Sequence, residues 1–156
     1  MSASVLFVCL GNICRSPTAH GVFLRKVSER GLAERVSVDS AGTGGWHAGE
    51  PPDRRTQRHA ATRGYDLSAL RARQVEPEDF HRFTHILAMD RSNFDALEDM
   101  KPADFTGELR LFLEYGSRGR SEVPDPYYGG AQGFEEVLDL VEDAAEGLIS
   151  GLGLQS

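Results

Sequence analysis

Cysteine is nearly missing from this chain: its 156 residues include two, Cys9 and Cys14. Two thiols cannot build a disulfide scaffold or fill a four-ligand zinc site, which excludes a disulfide-stapled module and a structural zinc domain. Long apolar runs are missing too. The first, residues 5–10, has no basic residue ahead of it and is far too short to span a bilayer. A reducing, cytoplasmic setting with no membrane partner is expected. Basic charge is also scarce, 17 Lys and Arg against 24 Asp and Glu for a net −7, which speaks against nucleic acid as a partner. The deficit is uneven. Residues 122–156 hold eight acids and no Lys or Arg, leaving residues 1–121 with 17 bases against 16 acids and a net +1. The acids are expected to coat the solvent face of a C-terminal helix. The remaining body is nearly neutral, so only extended polyanions are excluded, not a small anionic ligand.

What is present is an ordinary globular composition, 40% hydrophobic and 26% charged, in the length of one domain. There is no internal repeat, low-complexity tract or linker, so residues 1–156 are expected to form a single domain. Residues 4–10 (SVLFVCL) form a continuous apolar run that suits a strand buried on both faces. Gly11 and Asn12 break it, and Ala19, Val22, Phe23 and Val27 then recur at helical spacing over residues 16–29, with Gly31 as the stop. Further strands are expected at residues 36–40, 84–89 and 109–113. Helices are expected at 54–63, 76–83 and 91–100, with long Gly/Pro-rich loops at 41–53 and 116–133. The last helix is marked by Phe134, Val137, Leu138, Val141, Ala145, Leu148 and Ile149 on one face. Strands alternating with helices predict an α/β fold with a parallel sheet.

Chemistry concentrates in Cys9-Leu10-Gly11-Asn12-Ile13-Cys14-Arg15-Ser16-Pro17, a strand-to-loop-to-helix junction. Backbone N–H groups in such a loop, together with a helix N-terminus, form an anion site. Gly11 and Asn12 are residue types that take left-handed backbone readily, and Pro17 suits the start of a helix. Cys9 offers a sulfur nucleophile, and a helix N-terminus with a nearby cation favours thiolate. Arg15 offers a planar guanidinium that matches two phosphate oxygens. Ser16 can donate to the sulfur and help it leave. No Gly-Lys-Ser/Thr ending is present, so this is not a nucleotide P-loop.

The run V-C-L-G-N-I-C-R-S-P resembles the signature loop of the low-molecular-weight protein tyrosine phosphatases. The resemblance continues through V-D-S-A-G-T (residues 38–43), G-x-P-P-D (49–53), I-L-A-M-D (86–90) and D-P-Y-Y-G (125–129). It implies a three-layer α/β/α fold with a central four-stranded parallel sheet, and hydrolysis of phosphotyrosine in proteins, or of aryl phosphates, without metal or cofactor. Cys9 would be the nucleophile and residues 10–15 (Leu10, Gly11, Asn12, Ile13, Cys14 and Arg15) the phosphate cradle. Asp125 would be the general acid and base, acting through a cysteinyl-phosphate intermediate. Phosphate and vanadate would be ligands, and the protein a monomer or weak dimer. Asn12 and Ser40 match a family pair whose side-chain hydrogen bond holds the loop. Some relatives add a His to that support; residues 60–80 contain none, so the role stays unassigned. Trp46 on one side and Tyr127 with Tyr128 on the other match the walls of the substrate cleft, and the two tyrosines match phosphorylation sites. Cys14 matches a redox partner that captures oxidised Cys9 as a disulfide. The six Arg at 54, 55, 58, 63, 71 and 73 fit a solvated helix face or an attraction for acidic phosphopeptides.

Three other functions compete. Arsenate reductases of this fold need further cysteines downstream, and none follows Cys14. Arginine phosphatases of the family carry Thr where Ile13 stands. A non-catalytic phosphate-binding or redox-sensing module would lack the acid or the arginine, and both are present.

Overall fold

The sheet is organised around β1 (Ala3–Cys9), whose five residues from Val5 to Cys9 are all buried. A strand can bury five successive side chains only if both its faces are covered. In the computed structural model, which describes residues 2–127 and 130–154, both are. β1 lies inside a four-stranded sheet of order β2-β1-β3-β4, with β2 at Val36–Gly42, β3 at His85–Ala88 and β4 at Glu108–Leu111. Every pairing is parallel.

Alternate side chains of β1 feed two apolar layers. Val5, Phe7 and Cys9 face a cluster shared with α1 (Arg15–Glu29) and α5 (Ala131–Leu152), while Leu6 and Val8 face one containing Phe80 and Leu97. Those two belong to α3 (Asp79–Arg82) and α4 (Arg91–Met100). The result is the expected three-layer α/β/α sandwich. At its centre Phe7 meets Phe23 and Phe112 edge to face, at 5.6 and 4.9 Å between ring centroids. On the same side α5 packs so closely that a Cβ on Gly147 would lie 1.8 Å from the Tyr115 carbonyl oxygen. No described helix is long and apolar enough to cross a membrane.

The chain after β1 turns to α1 on one face, and the chain after β3 turns to α4 on the other. Between the carboxyl ends of these neighbouring strands the connections diverge, opening the crevice where α/β sheets bind ligands.

Two expectations need correction. The fourth strand ends at Leu111, and Phe112 and Leu113 lie in a 3-10 turn over Phe112–Tyr115. Both remain buried, and a short apolar run does not distinguish strand from turn when both are buried. The acids of α5 do not merely coat a solvent face. Arg63, just after α2 (Arg54–Thr62), reaches Glu135, Asp139 and Glu142 at 2.7, 2.9 and 2.8 Å. Lys26 and Arg30 of the α1 end both reach Glu146. Acid on α5 thus faces base on α1 and α2.

Candidate active site

The loop between β1 and α1 wraps around the Cys9 sulfur. Asn12 has φ +57°, a left-handed value shared by no other non-glycine among the described residues. That shape turns its N–H to the Cys9 Sγ at 3.2 Å. The side chain holds the strained backbone in place: Nδ2 donates to the Ser16 hydroxyl at 2.8 Å, and Oδ1 accepts from the Arg73 N–H at 3.0 Å. Because the Ser16 oxygen already accepts from Asn12, its own proton can point to the sulfur, 3.0 Å away. Cys9 is buried, with the Asn12 N–H and the Ser16 hydroxyl both against its sulfur.

Arg15 opens α1 with a side chain 5% exposed. Its Nη1 donates to Asp90 Oδ2 at 2.7 Å and to the Val123 carbonyl at 3.0 Å. Burial works against the guanidinium charge, but Cys9, Asp90 and Asp125 outweigh it and hold the group above its ordinary range. Asp90 ends the β3 connection, and its other oxygen caps α4 by accepting from the Asn93 N–H at 2.8 Å. One carboxylate therefore starts a helix and aims an arginine.

Asp125 comes from the long loop before α5. The loop is tied to the β3 end where the N–H of buried Val123 donates to the Met89 carbonyl at 2.8 Å. Asp125 Oδ2 stands 3.9 Å from Arg15 Nη2, and Oδ1 accepts from the Tyr127 N–H at 3.0 Å. Its side chain is half exposed, open to solvent and to whatever enters.

These groups line one cleft of about 240 Å³. Its lining takes in Cys9, Gly11, Cys14 and Arg15 together with Leu10, Ile13, Trp46 and Tyr127. Three of the four exposed large hydrophobics among the described residues, Leu10, Trp46 and Tyr127, stand at this cleft. Trp46, expected to be exposed, is 64% so. Tyr128 lies outside the described residues. The rest of the expected set is thus gathered at one place, except for Ser40.

Ser40 does not bond Asn12, whose side chain is taken by Ser16 and Arg73. The Ser40 hydroxyl instead meets His20 Nδ1 at 3.0 Å. His20 projects from α1, and burial lowers its pKa, with Asp39 opposing; its hydrogen bond is to Ser40, not to the loop at Asn12. Cys14 is buried, and burial pushes its thiol up to about 12. Both cysteines are free.

Several supporting residues were not legible in the sequence. Arg73 holds Asn12 through its backbone, while its side chain is clasped by Asp79 at 3.0 and 3.1 Å and by Asp39 at 3.1 Å. Nothing in the Arg-rich stretch distinguishes Arg73 from its neighbours, since Asp39 lies 34 positions away. Asp90 carried a signal, a carboxylate at the end of a strand beside the loop strand. His47 also lines the cleft, its Cδ2 packed so near Gly11 that a Cβ there would lie 3.0 Å away.

Comparison with known proteins supplies the deciding observation. The sequence pattern described as low molecular weight phosphotyrosine protein phosphatase matches residues 4–155. The chain belongs to this phosphatase family. A putative low molecular weight protein-tyrosine-phosphatase of Synechocystis is 46% identical over 151 residues, 96% of each chain. Among solved structures, a protein tyrosine phosphatase of Entamoeba histolytica with Hepes in its active site superposes with a TM-score of 0.94. It is 40% identical and the match covers 97% of both chains. An arginine phosphatase of Drosophila superposes at 0.90 with 31% identity, over 97% of this chain and 99% of that one. The enzyme is thus a phosphatase acting on phosphotyrosine in proteins.

Proposed function

We propose that phosphotyrosine is hydrolysed in this cleft by double displacement, with Cys9, Arg15 and Asp125 in the reacting roles. One observation carries the assignment: Arg15 stands within reach of the carboxylate of Asp125 while the same loop delivers two donors to the Cys9 sulfur. The phosphate enters with its equatorial oxygens on Arg15 and the loop N–H groups, residues 10–15. The Cys9 thiolate attacks phosphorus in line, and the P–O bond to the phenol breaks. Asp125, entering as the acid, gives its proton to the departing oxygen. The resulting carboxylate then takes a proton from water, whose oxygen attacks the cysteinyl-phosphate and releases inorganic phosphate. Ser16 stabilises the sulfur as it leaves a second time. Phosphate and vanadate are expected ligands of the same cradle; the Hepes-bound Entamoeba relative, carrying a sulfonate, supports an oxyanion site there.

Trp46 and Tyr127 form apolar walls that favour a planar aryl ester over short aliphatic ones, and Tyr128 belongs to the same assignment by sequence. The Drosophila neighbour raises phosphoarginine as the competing substrate. Ile13 at the cleft offers no hydrogen bond to a guanidinium, which favours the aryl ester. Turnover of phosphotyrosine and phosphoarginine peptides at equal concentration separates the two.

The deciding experiment is Cys9→Ser, expected to abolish turnover while inorganic phosphate still binds; normal activity in this variant would sink the assignment. The free thiols fit a cytoplasmic enzyme, and the placing of Cys9 and Cys14 on one cleft supports the proposed redox guard, against which the burial of Cys14 works. Hydrogen peroxide would oxidise Cys9 to a sulfenic acid, releasing one water, and the Cys14 thiol would condense with it, releasing a second water and leaving a disulfide. Mass spectrometry after mild peroxide should show the Cys9–Cys14 link; a stable sulfinate on Cys9 instead would refute it.

A further inference from the structure

Arg55, in the first turn of α2, joins the phosphate loop to the loop that carries Asp125. Its guanidinium edge pairs with the Asp53 carboxylate, Nη2 at 3.0 Å and Nε at 3.2 Å. Asp53 in turn caps α2, accepting from the Arg55 and Thr56 N–H groups, and its own N–H donates to the Ile13 carbonyl at 2.9 Å. One end of Arg55 is therefore fixed to the cradle itself. The face of the guanidinium lies over two aromatic rings, 5.3 Å from the Tyr127 centroid and 5.0 Å from that of Phe134. Tyr127 is the residue whose N–H holds Asp125 Oδ1. Phe134 sits in the first turn of α5 and is itself stacked on His59, one helical turn along α2, with the rings 1° from parallel.

We propose that Arg55 is a positioning residue that sets where the general acid stands over the cradle. Asp125 is half exposed and stands between the tie at Val123, two residues upstream, and Tyr127, on which Arg55 lies, two residues downstream. Arg55 supplies a bidentate edge and a stacking face at once, a combination that lysine cannot reproduce. Its side chain is 39% exposed, and it touches neither the sulfur nor Arg15. Its effect therefore falls on protonation of the leaving group, not on phosphate binding.

The inference rests on Asp125 as the acid, so both are tested together. kcat/KM, which reports the first phosphoryl transfer, is measured over aryl phosphates of graded leaving-group basicity for wild type, Asp125→Asn, Arg55→Ala and Arg55→Lys. For Asp125→Asn the loss should grow with leaving-group basicity to about 10²–10⁴-fold, the range of general acid catalysis. Arg55→Ala and Arg55→Lys should show the same trend at smaller size: little loss on nitrophenyl phosphate and about tenfold on phenyl phosphate, a fraction of that range. Rescue by lysine, or an equal loss on every leaving group, would overturn the role of Arg55. A flat response in Asp125→Asn would instead overturn the acid assignment. Thermal melts accompany each variant, and if Arg55→Ala does not fold, Arg55→Lys carries the test alone.

Discussion

The β1–α1 loop and the seam between α2 and α5 are both arrangements of arginine against carboxylate, yet they do opposite work. In the loop, Arg15 is 5% exposed, and two carboxylates and a carbonyl orient it while a sulfur lies beside it. In the seam, Arg63 is 24% exposed and faces three acids of α5. Burial decides the difference. Charges removed from water are costly to misplace, so their geometry is held firmly and can be used for chemistry. Charges at the surface are screened and individually weak, so they set how helices dock and contribute modestly.

Removing Asp90 tests the buried side most severely. Asp90→Ala deletes both the partner that aims Arg15 and the cap of α4. kcat/KM is expected to fall by about 10²-fold, as for a misplaced catalytic group, and the fold to lose ~1 kcal/mol for the cap. Steady-state kinetics with a chemical melt separates the two effects; unchanged kcat/KM would show that Arg15 needs no such aim.

Asp79→Asn comes next. Asp79 is wholly buried and clasps Arg73, but Arg73 is 30% exposed. The loss should be roughly 2–3 kcal/mol, below the cost for a fully buried pair. Because Arg73 also holds Asn12, phosphate should bind more weakly as well, seen as a raised inhibition constant for inorganic phosphate. A stability loss with unaltered phosphate inhibition would cut the link between the clasp and the loop.

The seam should give the smallest response. Arg63→Ala is expected to cost about 1 kcal/mol or less per pair lost, less again in high salt, with kcat unchanged. Hydrogen bonds from Arg63 and then His59 hold Glu135 below its ordinary 4.5, and those from Lys26 and then Arg30 do so for Glu146. A carboxyl group depressed on folding stabilises above its ordinary value and loses that contribution as pH falls through the lower folded one. Urea midpoints should therefore drop as pH is taken below about 4.5, and less steeply in Arg63→Ala. Equal slopes in the two proteins would show the seam carries no acid sensitivity.

Much of the site was legible because its chemistry is local. Cys9, Gly11, Asn12, Arg15 and Ser16 lie within eight positions, and a strand-to-helix junction has few ways to arrange them. The element order was legible because buried strands and amphipathic helices repeat with different periods. Asp125 could be named only through a resemblance, since Asp-Pro alone marks an ordinary turn. Ser40 went to His20 because α1, not the 60–80 segment, passes over β2 at that point. The acids of α5 read as solvent-facing because their partners on α1 and α2 are remote in the chain.

The sequence by itself determined the strand-helix alternation, the sulfur and guanidinium set in one short loop, and the residue able to bear a left-handed turn. Those properties depend on neighbours a few bonds apart. The tertiary structure alone decided that Asp90 aims Arg15, that Arg73 clasped by Asp79 holds Asn12, and that Arg55 joins the cradle to the acid loop. Each depends on at least one contact between residues dozens of positions apart, and no local preference encodes a contact that only packing of the sheet and its helices brings about.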